Sequence, residues 1–156
     1  MLFRSRYQRN GFWRGVVLID DYAHHPTAVA LTLQTVRQEY PNRRIICAFQ
    51  PHQVLRTERL MTEFSAAFCE ADDVLIVPVF AARETRDDQS VSASKELVAG
   101  ISRNGTPARF SPSLDQLVAT LEDESRPGDV VITMGAGDID RVQHEFTRRV
   151  QRDYAA

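Results

Sequence analysis

The chain has 156 residues, 43% hydrophobic and 26% charged. That is the composition of a folded globular domain able to bury its own core. The formal net charge is −2, so no basic surplus points to nucleic acid or an anionic membrane as partner. No apolar run is long enough to span a bilayer, and Met1 to Arg6 lacks the apolar stretch of a signal peptide.

In chain order, Arg6-Tyr7-Gln8 and Phe12-Trp13-Arg14 alternate about Asn10-Gly11 and predict an edge strand within residues 5–14. Val16-Val17-Leu18-Ile19 is a continuous apolar run ending in Asp20-Asp21. Val29, Leu33, Val36 and Tyr40 fall on one helical face, which Pro41-Asn42 stops. Arg44 to Phe49 reads as the next buried strand, and Leu60, Phe64, Ala67 and Phe68 as the next helix. Val74 to Val77 is a third run, followed by a polar loop from Ala81 to Ser92. Leu97, Val98 and Ile101 mark a helix closed by Asn104-Gly105, and Ala108-Arg109-Phe110 a weak strand. Leu114, Leu117, Val118 and Leu121 give a further helix ending before the Pro127-Gly128-Asp129 turn. Val130 to Met134 is the last strand, and Ile139, Val142, Phe146 and Val150 mark the last helix.

Continuous apolar strands alternating with amphipathic helices imply a sheet covered on both faces. The expected fold is a single α/β domain over residues 1–156. It is a doubly wound, Rossmann-like, mostly parallel sheet of about six strands with helices on both faces. Ligands bind such sheets beyond the carboxyl ends of the strands, and the polar residues gather there. Asp20 to Pro26 places two carboxylates, a phenol and two imidazoles after a strand, with Pro26 suited to a first helical turn and Thr27 to its free N–H groups. Imidazole exchanges protons near neutral pH; the alternative is a helix entry with a capping Asp and a packed His. His24-His25 lacks ligand spacing and no third ligand is evident, so no metal site is expected. Arg56 opens a predicted helix, where a cation opposes the helix dipole. A bound carboxylate held in a bidentate fork explains it, as does pairing with Glu58 or Glu63. Gly135-Ala136-Gly137-Asp138 is either a tight turn capped by Asp138 or a small-residue loop that lets a ligand approach. Cys47 and Cys69 form no metal or redox motif and read as reduced, half-buried thiols.

A receiver domain on this architecture needs an Asp ending the third strand and a Lys after the fifth. Val77-Pro78 and Met134-Gly135 stand there instead. The first strand is followed by no dinucleotide-binding glycine fingerprint. A standalone small-molecule-binding or signalling module is the alternative that the architecture alone permits.

Three motifs occur in order: Asp20-Asp21-Tyr22-Ala23-His24-His25-Pro26, then Phe49-Gln50-Pro51-His52 with Arg56-Thr57, then Gly135-Ala136-Gly137-Asp138-Ile139. Together they resemble the C-terminal domain of the Mur ligases, from about Tyr7 to the last helix. The His-His-Pro form with Tyr22 is most similar to the branch that adds L-alanine to UDP-N-acetylmuramate. The resemblance implies a three-domain, cytoplasmic bacterial enzyme of peptidoglycan synthesis. Its first domain holds the UDP-sugar, its second carries the P-loop, ATP and Mg²⁺, and its third brings the amino acid. It implies Asp21 and Tyr22 at the ribose and adenine of ATP, and His24 and Arg56 on the amino acid. Gln53, Gly135, Ala136 and Gly137 would line the same pocket. The family often has Arg at the position of Gln53, and Gly at that of Arg83; an Arg83 side chain would reshape the pocket wall or supply the missing cation. Without the ATP and UDP-sugar domains the chain is expected neither to bind a cofactor strongly nor to ligate alone.

Overall fold

A computed structural model describes residues 7–80 and 87–155. Arg83 and the first half of the expected loop after Phe80, residues 81–86, lie outside these. Six strands form one sheet: β1 (Gln8–Trp13), β2 (Val16–Asp21), β3 (Ile45–Phe49), β4 (Asp73–Ile76), β5 (Ala108–Phe110) and β6 (Val130–Met134). Their spatial order is β1-β2-β6-β3-β4-β5, with β1 antiparallel to β2 and every other pair parallel. The helices are α1 (Pro26–Glu39), α2 (Val54–Arg59), α3 (Met61–Ala66), α4 (Asp87–Arg103), α5 (Leu114–Glu124) and α6 (Asp140–Ala155). None of the described helices is long and apolar enough to cross a membrane.

The period-two alternation of each strand divides the core between two faces. Val17, Ile19, Cys47, Phe49, Ile132 and Met134 pack with Leu33, Phe64 and Ile101 of α1, α3 and α4. Val16, Leu18, Ile46, Ala48 and Val131 pack against Leu117, Val142 and Phe146 of α5 and α6. Both faces are covered, which explains the continuous apolar strands. β6 lies between β2 and β3, so the crossovers diverge where the loops after these three strands meet.

Local details differ from expectation. The helix around Leu60 is two helices, because Leu60 (φ −106°, ψ 21°) leaves the α region. Asp87 to Ser92 are helical, so α4 begins inside the expected loop. Cys47 is fully buried, and desolvation pushes its thiol well up, whereas Cys69 is exposed; neither is half-buried.

One partly buried ion pair ties β3 to the turn before β6. Arg44 donates through Nε and NH2 to the two oxygens of Asp129 at 3.2 and 2.5 Å, and NH2 also reaches the Glu124 carbonyl at 2.9 Å. Burial opposes charge on Asp129, but Arg44 and the Arg126 N–H outweigh it and hold the carboxyl below the usual aspartate range. Arg44→Met leaves this carboxylate without its cation. The guanidinium is partly solvated, so the expected loss in a urea titration at pH 7 is about 2 kcal/mol, below that of a fully buried pair. A depressed folded pKa stabilises above the unfolded value, near pH 4, and the benefit fades as pH falls through the folded value. The gap between the two proteins is therefore expected to narrow below pH 4; an unchanged gap at pH 2.5 would exclude this ion pair as its source.

Candidate functional site

The loop after β2 is built around Asp21. Its carboxylate, 2% exposed, accepts from the Ala23 N–H at 2.7 Å, the Tyr7 N–H at 3.0 Å and the Thr32 hydroxyl at 3.1 Å. It thereby fixes the loop to the residue that precedes β1 and to α1. Asp20 accepts from Thr133 Oγ1 at 2.6 Å. The cap of α1 is His25, whose Nδ1 accepts the Thr27 N–H at 3.3 Å; Pro26 takes the first helical position, and Thr27 receives the cap rather than supplying it.

His24 is left to face the cleft. Its Nδ1 lies 2.9 Å from the Tyr22 carbonyl. A carbonyl only accepts, so Nδ1 carries the proton, and in the neutral ring Nε2 keeps its lone pair. The Tyr22 ring meets the His24 ring edge-on at 5.1 Å. Tyr22, His24 and Arg56 line a cleft of about 550 Å³ with Asp21, Ala23, His25, Thr27 and Leu31. Tyr22 and Leu31 are among the few large apolar side chains left exposed.

Arg56 is the third residue of α2. A six-residue helix places it as near the last turn as the first, so the dipole argument lapses. Pairing with Glu58 or Glu63 is not formed, and among the described residues the guanidinium has no ion-pair partner. A half-buried cation in a concave surface, beside two imidazoles, is an electrostatic fit for a small carboxylate.

Gln53, Ala136 and the two glycines do not line this cleft; they are tied to it. Gln53 has φ +65° and ψ 126°, a strained conformation for a residue with a side chain. Its N–H donates to the Phe80 carbonyl at 3.0 Å, and the Phe80 N–H to the Pro51 carbonyl at 2.8 Å. The Gly135 N–H donates to the Asp21 carbonyl at 3.2 Å, which docks the loop after β6 beside the loop after β2. Asp138 does not cap α6 with its side chain; its carboxylate takes the Gln50 amide at 2.8 Å. Among the described residues no three His, Cys, Asp or Glu side chains gather as a metal set.

Sequence reasoning assigned no role to Gln50, His52 or Phe80, although Gln50 and His52 stand in the second of the three motifs. His52 stacks on Phe80 (5.8 Å between centroids, 19° between planes), and its ring centroid lies 6.0 Å from that of His24. The motif marked Gln50 and His52 in the sequence, and only its position past β4 marked Phe80.

A family model described as "Mur ligase, glutamate ligase domain" matches residues 5–137. A UDP-N-acetylmuramate–L-alanine ligase of Brachyspira hyodysenteriae is 40% identical over 137 residues, which are 87% of this chain and 29% of that protein. One of Desulfitobacterium hafniense is 42% identical over 139 residues, 89% and 31% of the two chains. Among solved structures, the UDP-N-acetylmuramate-alanine ligase MurC of Thermotoga maritima superposes with a TM-score of 0.70 at 26% identity, covering 90% of this chain and 28% of that one. A domain assigned to a UDP-N-acetylmuramate:L-alanyl-gamma-D-glutamyl-meso-diaminopimelate ligase of Haemophilus ducreyi has the same fold. Its TM-score is 0.68 at 22% identity, over 93% of this chain and 99% of that one. The chain thus spans about 30% of the length of the curated relatives it matches.

Proposed function

Since the chain belongs to the Mur ligase family as a C-terminal domain, we propose that it is the amino-acid-binding part of an ATP-dependent ligase joining L-alanine to UDP-N-acetylmuramate. The observation that carries this reading is the Arg56 guanidinium, without an ion-pair partner among the described residues, in one cleft with His24. Arg56 pairs with the carboxylate of the amino acid in a bidentate fork, and Nε2 of His24 accepts from its amine. These two contacts orient the nitrogen lone pair. The sugar's carboxylate is activated as an acyl phosphate; the amine attacks its carbonyl carbon, phosphate leaves, and an amide forms. Positioning of this kind supplies most of what such a reaction needs from a binding domain.

ATP supplies the phosphoryl group when bound. Tyr22 and Leu31 offer it an exposed apolar face, and Asp21 an acceptor whose position three hydrogen bonds fix. We assign Mg²⁺ and the UDP-sugar to the parts of the ligase that the family's C-terminal domain meets on closure. The setting is the bacterial cytoplasm, where ATP is available. Gln53, Ala136, Gly135 and Gly137 complete the amino-acid pocket in that closed form.

The test is an NMR titration of the chain with L-alanine, glycine and D-alanine, followed at the His24 imidazole and the Arg56 side chain. Saturable shifts with L-alanine, and weaker ones with D-alanine, are expected. A second arm adds the ATP- and UDP-sugar-binding domains of the Desulfitobacterium hafniense relative with ATP, Mg²⁺ and UDP-N-acetylmuramate. Phosphate release is expected to require both proteins and L-alanine. No shifts and no release in either arm would overturn the reading.

A further inference from the structure

Three loops at the carboxyl edge of the sheet converge on two side chains outside the cleft. Gln50, 5% exposed, follows β3, where its N–H continues the ladder to the Met134 carbonyl at 3.0 Å. Its side-chain amide donates to Asp138 Oδ1 at 2.8 Å, and its Oε1 accepts the Ile139 N–H at 3.1 Å. Both groups of one buried amide thus hold the loop after β6. Phe80 does the same for the loop after β4. Its backbone bonds to Pro51 and Gln53, and its ring stacks on His52. The two side chains meet at Gly137, where a Cβ would lie 2.3 Å from Gln50 Oε1 and 2.7 Å from Phe80 Cγ.

We propose that Gln50 and Phe80 are positioning residues for the amino-acid site: by clamping Gly137 between them they set the places of Gly135–Asp138, of Gln53 and, through His52, of the His24 ring. This rests on the amino-acid reading for its ligand, but the clamp is measurable without one. Buried polar networks specify one arrangement only when every member is satisfied, and this one joins three loops through two side chains.

Gln50→Glu tests it. The new carboxylate faces Asp138, with the Arg141 guanidinium only 3.8 Å from the far oxygen of Asp138. It keeps the acceptor for Ile139 and loses the donor to Asp138. Amide exchange at Gly137 and Ile139 is expected to quicken at least tenfold at pH 7.5, with α1 and β2 changed less than twofold. L-Alanine affinity is expected to fall at least tenfold. Adding Asp138→Asn restores a donor facing the introduced carboxylate and is expected to return both readouts to within threefold of the original. A merely structural defect would instead lower protection throughout and resist this polarity swap. Phe80→Leu, expected to weaken affinity and shift the His52 resonances while Phe80→Tyr does not, serves where Gln50→Glu fails to fold. Unchanged exchange at Gly137 and Ile139 would overturn the clamp. Unchanged affinity, in a chain whose parent saturates with L-alanine, would overturn its link to the site. A parent that never saturates refutes the amino-acid reading, and the exchange data then decide the clamp alone.

Discussion

Arg56→Met is expected to weaken L-alanine binding ten- to hundredfold and to leave the stability of the fold unchanged. The two halves follow from one observation. The guanidinium lines the cleft with His24 and forms no ion pair with a described residue, so its removal breaks no ion pair among the described residues. Surface substitutions of that kind stay within about 0.5 kcal/mol. A hydrogen bond to a charged group contributes about 1.5–3 kcal/mol, which is the ten- to hundredfold loss. Arg56→Lys is expected to recover only part of it, since an ammonium keeps the charge and loses the planar fork. The measurement is an NMR titration of each variant beside a urea melt. Equal affinity for L-alanine in Arg56→Met would remove Arg56 from the site. Lost affinity with a large drop in stability would mean that Arg56 supports the fold rather than the ligand.

Arg56 stood out in the sequence because a cation at a predicted helix start opposes the dipole, a reason that the six-residue α2 removes; its place in one cleft with His24 comes from the fold. The strands were visible for a different reason. A parallel strand buried on both faces cannot alternate, so Val16–Ile19 and Ile45–Phe49 read as unbroken apolar runs and Val130–Met134 as one broken only by Thr133. Short-range order was harder. The break at Leu60 leaves no mark, since Leu60 and Phe64 keep helical spacing across it. The start of α4 at Asp87 was hidden because Asp87-Asp88-Gln89-Ser90 reads as a loop by composition. The sheet as a whole was legible, but contacts between side chains of distant loops were not. Gln50 and Asp138 are 88 positions apart, and only the return of β6 to a place between β2 and β3 brings them together. The GAGD turn was legible as small residues near a strand end; the reason for each glycine lies in the partner loop.

That reason gives the largest expected effect on stability. Gly135→Ala is expected to cost about 3 kcal/mol, from backbone strain and overpacking of about 1–3 kcal/mol each. Gly135 has φ +144°, which residues with side chains rarely adopt, and its Cβ would lie 2.6 Å from the Gln50 carbonyl oxygen and 3.2 Å from the Gln50 Cβ. Nothing there yields easily. The Gln50 N–H is bonded to the Met134 carbonyl, so the obstructing oxygen belongs to backbone at the end of an interior strand. Gly128→Ala separates the two causes, because Gly128 has φ +98° and a Cβ there would meet nothing within 4 Å. It bears strain alone, about 1 kcal/mol. For a chain of this size the melting temperature is expected to fall about 6–12 °C for Gly135→Ala and about 2–4 °C for Gly128→Ala. The Gly135 N–H also docks on the Asp21 carbonyl, so relief of the clash by moving the loop would pull the last strand's turn away from the loop that carries His24. L-Alanine affinity is therefore expected to fall with Gly135→Ala and not with Gly128→Ala, which is remote from the cleft. Equal melting temperatures for the two variants would show that the turn relocates without cost, and that the close approach of Gly135 to Gln50 holds neither the fold nor the site in place.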